Sequence, residues 1–266
     1  MTELAVQWVR FRGLRRPGAM VERNFTAHRR AWLLIVSGVF EPLFYLLGLG
    51  IGVGALVGKI PLPDGRHVDY ATFVAPAMLA NAAMMAAIAE TSFNVFGKLK
   101  WAKLYDGILA TPLRPMEIMM GETAWALLRG ALYVVAFLVV MASMGMIASA
   151  WAILALPAAV LIGLSFVGIG LTMSTLFRSW TDFDWLMSMV FVMFLFSGTF
   201  TPIENYPVAL QWLVYLSPLY HGIELVRGLT LGLPQWGLLG HAAYLVLIGA
   251  IGITVASRRM GKLLYK

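Results

Sequence analysis

Apolar residues in this chain come in long unbroken runs rather than in the short alternations of half-buried strands or the periodic stripes of surface helices. A bilayer core is crossed by about 20 apolar residues at about 1.5 Å each. Trp32 to Gly58 meets that length with only Glu41 and Pro42 interrupting, and Ala71 to Gly97 meets it with Glu90 as its one charge. Gly130 to Phe177 carries no charged residue. As one helix it would be about 70 Å long, twice what a bilayer hides, so it must fold back, with the corner near Gly145 to Ser149. The runs predict an all-α integral membrane protein, one transmembrane domain with six spans at 33–58, 71–97, 122–145, 150–177, 185–201 and 236–257.

Residues 202–231 are apolar too, but Pro202, Pro207 and Pro218 cut them into pieces too short to span. Two short helices that dip into the outer side of the membrane and return are expected, the second opened by Ser217 as N-cap with Pro218 at its first position. Lys and Arg gather in the N-terminal tail, after the second span (Lys98, Lys100, Lys103, Arg114) and in the C-terminal tail (Arg258, Arg259, Lys262, Lys266). Cytoplasmic placement of all three clusters requires an even number of crossings, which six satisfies, and puts both termini inside. Residues 17–32 place Val21, Phe25 and Trp32 on one helical face, as an interfacial helix does. Arg15-Arg16 before an apolar run imitates an export signal, but the later spans argue for a retained helix.

Composition sharpens the class. Of 266 residues, 60% are hydrophobic and 12% charged, with a mean hydropathy of +0.80, far from a soluble mix and in keeping with a multi-pass integral membrane protein. The net charge of +7 sits at span edges, where orientation explains it better than nucleic acid. Cysteine is absent and the four histidines have no ligand spacing, so no metal site is expected. H-E-x-x-H and G-x-S-x-G are also absent, which argues against an enzyme. "GVGALVGKI" imitates a phosphate-binding loop but has Val53 and Ile60 where Gly and Ser or Thr are needed. Its glycines, with Gly48 and Gly50, instead suit close approach of another helix.

An ionisable residue inside a span is costly, which singles out Glu41 and Glu90. Both lie about 10 to 13 Å from the inner end, and Arg129 lies at similar depth if the third span begins near Glu122. Glu122 and Arg129, seven apart, share a helix face. Two readings stand: ion pairs that brace helices at an inner vestibule, or groups that contact cargo. Glu204, His221, Glu224 and Arg227 belong to the outer segment, as a solvated rim or as an outer gate. Residues 98–116 form an inner segment fixed by Pro112 and Pro115, with Leu104, Ile108 and Leu109 on an apolar face suited to docking a protein or lying on the membrane.

"ETSFNVFGKLKWAKLYDGILATPLRPMEIMMGE", "FSGTFTPIENYP" and "LSPLYHGIELVRGL" resemble the membrane subunit of type-2 ABC exporters, in the branch of the nodulation lipo-oligosaccharide exporter permease. The resemblance implies that the segment after the second span is a coupling helix seated in a groove of an ATPase, with Lys103, Leu104, Tyr105, Asp106, Ile108, Leu109 and Thr111 at the contact. It implies two ATPase subunits carrying ATP and Mg, no cofactor on this chain, and a second permease chain, identical or related, with membrane lipid around the pair. Cargo would be lipid-linked or amphipathic: glycolipid, lipo-oligosaccharide, polysaccharide or drug. A secondary transporter or channel working without an ATPase is the alternative, and it predicts charges nearer mid-membrane.

Overall fold

The computed structural model describes residues 17–27, 40 and 43–264, most of them helical. Glu41, Pro42 and most of the start of the first expected span lie outside the described residues. Helix α1 covers 17–27. Helix α2 is a π-helix over Leu46–Val53 continued as an α-helix over Gly54–Val57. A short hairpin follows, β1 (Lys59–Pro61) antiparallel to β2 (His67–Asp69), with Ile60 opposite Val68. The apolar runs gave no sign of this hairpin, but Pro63-Asp64-Gly65 is a turn signal, and Gly65 takes φ +83°. Arg66 closes the turn through its guanidinium and its N–H, which hold the Asp64 carboxyl below its ordinary range.

Among the described residues, four helices are long and apolar enough to cross a membrane. They are α3 (Tyr70–Trp101), α5 (Pro115–Ser143), α6 (Ala150–Leu176) and α10, which covers Gly237–Leu264 in full. Between α3 and α5 lies the short helix α4 (Leu104–Leu109). Helix α5 begins seven residues before the expected 122, because Pro115 occupies its first turn and the Glu117 carboxylate accepts from the Arg114 N–H at 2.8 Å. Pro115 therefore starts a helix where the sequence suggested only a break. The chain turns between α5 and α6 with Gly145 at φ +69°. Helix α7 (Asp182–Leu195) covers about 21 Å, less than a bilayer core. Helices α8 (Val208–Tyr215) and α9 (Pro218–Leu231) fill the proline-cut region. Ser217 stands at the N-cap position of α9 without a side-chain cap bond, because its hydroxyl pairs with that of Ser197 at 2.8 Å.

Helix α6 packs against α3, α5, α9 and α10 and so forms the centre of the bundle. Its contact with α10 is set by glycine. A Cβ at Gly252 would lie 2.5 Å from the Gly168 carbonyl carbon, and one at Gly168 would lie 2.7 Å from the Gly249 oxygen. Backbones this close bring Thr172 Oγ1 within 3.0 Å of the Gly252 carbonyl, the small-residue packing that replaces a hydrophobic driving force between helices in lipid. In α2, Gly50 and Gly54 meet Ala71 and Tyr70 only at ordinary contact distance.

Candidate functional site

Charged side chains gather at one end of the bundle around Glu122, which is 1% exposed. Its carboxylate accepts from Lys98 Nζ at 2.8 and 3.0 Å, from the Tyr105 hydroxyl at 2.9 Å and from Asn24 Nδ2 at 3.1 Å. One carboxylate thus joins α1, α3, α4 and α5. Helix α1 comes this close because Gly121 has no side chain: a Cβ there would lie 2.4 Å from Met20 Cβ. Tyr105 is fully buried, and burial together with the Glu122 carboxylate pushes its phenol well above the ordinary range. It stays a hydroxyl donor to Glu122.

Helix α4 hangs on this bond. Lys103, immediately before it, has φ +46° and is the one non-glycine residue with positive φ among those described. Such backbone costs a lysine about 1–2 kcal/mol and marks a tight corner between α3 and α4. Leu104, Ile108 and Leu109 are half-buried, and Ile108 and Leu109 pack on the main core. The outward surface of the segment consists instead of Lys103, Asp106, Gly107, Ala110 and Thr111. The apolar face drawn from spacing therefore turns partly toward this chain's own core.

Deeper in, Glu90 and Arg129 form a buried ion pair between α3 and α5. Trp125 Nε1 and Asn94 Nδ2 each donate to Glu90 Oε1 at 2.8 Å, and Arg129 Nη2 donates to the Tyr133 hydroxyl at 2.9 Å. Trp125, Arg129 and Tyr133 are spaced by four and share one face of α5. Helix α3 runs as a π-helix over Ala89–Asn94 and again over Gly97–Trp101. Wider turns of this kind recur at functional sites. Beside them is a cleft of about 590 Å³ lined by Glu90, Phe93, Asn94, Lys98, Arg129 and Trp180. Trp180 and Phe183, from the turn into α7, each pack on Phe96 with ring centroids 5.1 Å apart.

The other end is built differently. Arg227 is 6% exposed, donates to Glu224 Oε1 at 2.7 Å and to the Gly198 carbonyl at 2.8 Å, and lies 4.0 Å over the Phe73 ring. A solvated rim does not describe it. His221 Nε2 lies 2.9 Å from the Tyr215 carbonyl, which only accepts, so that nitrogen carries the proton. His221 Nδ1 then accepts from His241 Nδ1 at 2.7 Å. Glu204 is exposed, on the short turn Ile203–Asn205. Glu204, His221, Glu224 and Arg227 are thus one ion pair, one half of a histidine pair and one surface acid.

Geometry brings Glu90 to Arg129 and gives Glu122 to Lys98, so the two residues that share a face of α5 grip α3 at separate points. Sequence reasoning missed Asn24, Lys98, Trp125, Tyr133 and His241 as members of these clusters. Lys98 enters the sequence reading as an orientation charge and as the start of the inner segment, not as a partner of Glu122, while the spacing of Trp125, Arg129 and Tyr133 is a usable signal. His241 stands alone in an apolar run, and nothing along the chain points to His221.

The ABC-2 type transporter family model matches residues 18–231. Nodulation protein J of Rhizobium leguminosarum bv. trifolii is 33% identical over 248 residues, covering 91% of this chain and 93% of that protein. Nodulation protein J of Rhizobium leguminosarum bv. viciae is 34% identical over 218 residues, covering 81% and 82%. A probable multidrug ABC transporter permease of Escherichia coli, YbhR, is 30% identical over 168 residues, covering 62% of this chain and 45% of the relative.

Proposed function

Because the chain belongs to the ABC-2 type transporter family and is a multi-pass inner-membrane exporter subunit, we propose that it works as half of an ATP-driven permease moving lipid-linked or amphipathic cargo outward. Two such chains, identical or related, enclose the path, and two separate ATPase subunits bind ATP and Mg. Six crossings with both termini inside, and a re-entrant pair α8–α9 on the outer side, complete the arrangement. The sequence supports this division of labour, since it has no complete phosphate-binding loop.

The observation that carries the reading is the bond between Tyr105 and Glu122. Asp106 and Gly107 of α4, with Ala110 and Thr111 just after it, are exposed, where an ATPase groove would receive them. Movement of α4 pulls on Tyr105, and Glu122 passes that pull to α1, α3 and α5 together. ATP then favours the outward state by binding it better than the inward one. The lipid-linked class of cargo follows from the resemblance to the lipo-oligosaccharide exporter branch, and the amphipathic class from the multidrug relative.

The test is co-purification with the ATPase, followed by ATP hydrolysis and transport in vesicles. Ala110→Arg and Asp106→Arg should reduce ATPase retention about tenfold, a loss of about 1.4 kcal/mol, with membrane insertion unchanged. Leu109→Asp should do the same and also loosen α4, because that side chain is half-buried. Normal stoichiometry and coupled transport in all three variants would make α4 a passive connector.

A further inference from the structure

At the end of the bundle away from Glu122, the start of α6, the second half of α9 and the start of α10 do not close on one another. They leave a groove of about 850 Å³. Leu154 and Leu161 of α6, Leu225 and Leu229 of α9, and Leu239 and Ala242 of α10 line it. Trp151 and Trp236 line it as well, yet remain 53% and 89% exposed. Gln235 is the one polar side chain among its lining residues.

Three features identify the guest. Walls this apolar give water too few partners to hold it in place. Trp151 stands in the first turn of α6 and Trp236 immediately before α10, the depth at which an indole settles beside lipid headgroups. Polarity is also one-sided: Gln235 precedes α10, whereas Ala242 lies more than a turn further along it. The shape calls for an amphiphile with its polar end at Trp236 and its tail against Ala242 and Leu161.

We propose that the groove is a binding site for one acyl chain of a bilayer phospholipid, drawn from the leaflet beside the α9–α10 turn. That leaflet is the outer one under the topology proposed above. Leu225 and Leu229 face the lipid, while Arg227 sits on the other side of α9, bonded to the Gly198 carbonyl. The seated chain completes the packing of α9 from its lipid side and holds it against α6 and α10.

The full chain, purified in mild detergent and reloaded with phosphatidylethanolamine bearing dibrominated acyl chains, tests this by native mass spectrometry and tryptophan emission. Wild type should keep one lipid per chain through detergent washing, with quenching that disappears in the Trp151→Phe/Trp236→Phe double variant. Ala242→Phe fills the groove and should reduce retained lipid at least about tenfold, while Ala243→Phe, on the exposed neighbouring position, should not. Equal retention in the two phenylalanine variants overturns the proposal. So does a wild-type chain that keeps no lipid, including the case in which Ala242→Phe instead disperses a dimer. Should Ala242→Phe fail to fold, quenching of Trp151 and Trp236 in the native chain decides, and its absence rejects the site.

Discussion

The two ends of the bundle bury charge by opposite means. Around Glu122 and Glu90 the buried group is a carboxylate, and its donors come from α1, α3, α4 and α5. Around Arg227 the buried group is a cation, and it is met by a neighbour on its own helix, a loop carbonyl and a ring face. A carboxylate hub fails as a unit, since losing it leaves Lys98 without a counter-charge where its side chain is only 12% exposed. The Arg227 arrangement degrades gently, because the Glu224 side chain is 33% exposed and can turn to water. One end thus behaves as a joint between elements and the other as a local staple.

The strongest way to break this contrast is Glu122→Leu. It should lower stability by about 3–5 kcal/mol, the cost of orphaning one partner of a buried pair. Glu122→Gln, which keeps an acceptor for Tyr105 and Asn24, should lose less. Thermal unfolding in detergent measures both, and equal losses would mean that the charge of Glu122 carries no special weight. Next comes Arg227→Met, which preserves length and apolar contact with Phe73 but strands the Gly198 carbonyl. A loss of about 1–3 kcal/mol is expected. A loss as large as that of Glu122→Leu would erase the distinction between joint and staple.

Acid should open the histidine pair. Adding a proton to His221 places an N–H on its Nδ1 against the Nδ1–H of His241, so the 2.7 Å contact exists only while His221 is neutral and is lost as pH falls. Hydrogen exchange in 208–215, corrected for intrinsic rate, should quicken between about pH 8 and about pH 5, and His241→Phe should abolish that change. The groups around this site are the Tyr215 carbonyl of α8, the Tyr244 ring of α10 stacked 4.0 Å from His221, and Tyr220 and Glu224 of α9 itself. The smallest effect belongs to Lys103→Gly. Relief of its positive φ should stabilise the chain by about 1 kcal/mol while loosening the corner before α4. Improved stability with unchanged coupling would show that this corner transmits nothing.

Much of the fold was legible because a bilayer imposes a length on every helix. The uninterrupted apolar stretch after Gly130 had to turn, and Gly145 supplies the turn. Prolines at 207 and 218 had to divide the apolar segment that holds them, and α8 and α9 begin just after and at them. The pairing of Glu90 with Arg129 was within reach, since both are charges at similar depth with no water to solvate them. Helix α7 and the early start of α5 were less legible, because apolarity alone does not say where a helix begins or ends.

The sequence by itself determined that this chain lives in a membrane, that it holds helices of membrane length, and which family it belongs to, for these follow from run length, composition and short motifs. Only tertiary structure decided that Glu122 is the common acceptor of four elements, that Ile108 and Leu109 turn toward this chain's own core, and that His221 meets His241. Each of these depends on which helix faces are neighbours. Helix spacing here is set by Gly121 under Met20 and by Gly168 against Gly252. An apolar run fixes that a helix is buried in lipid; the absence of a side chain at a few positions fixes how near its partner comes, and so which distant polar groups can touch.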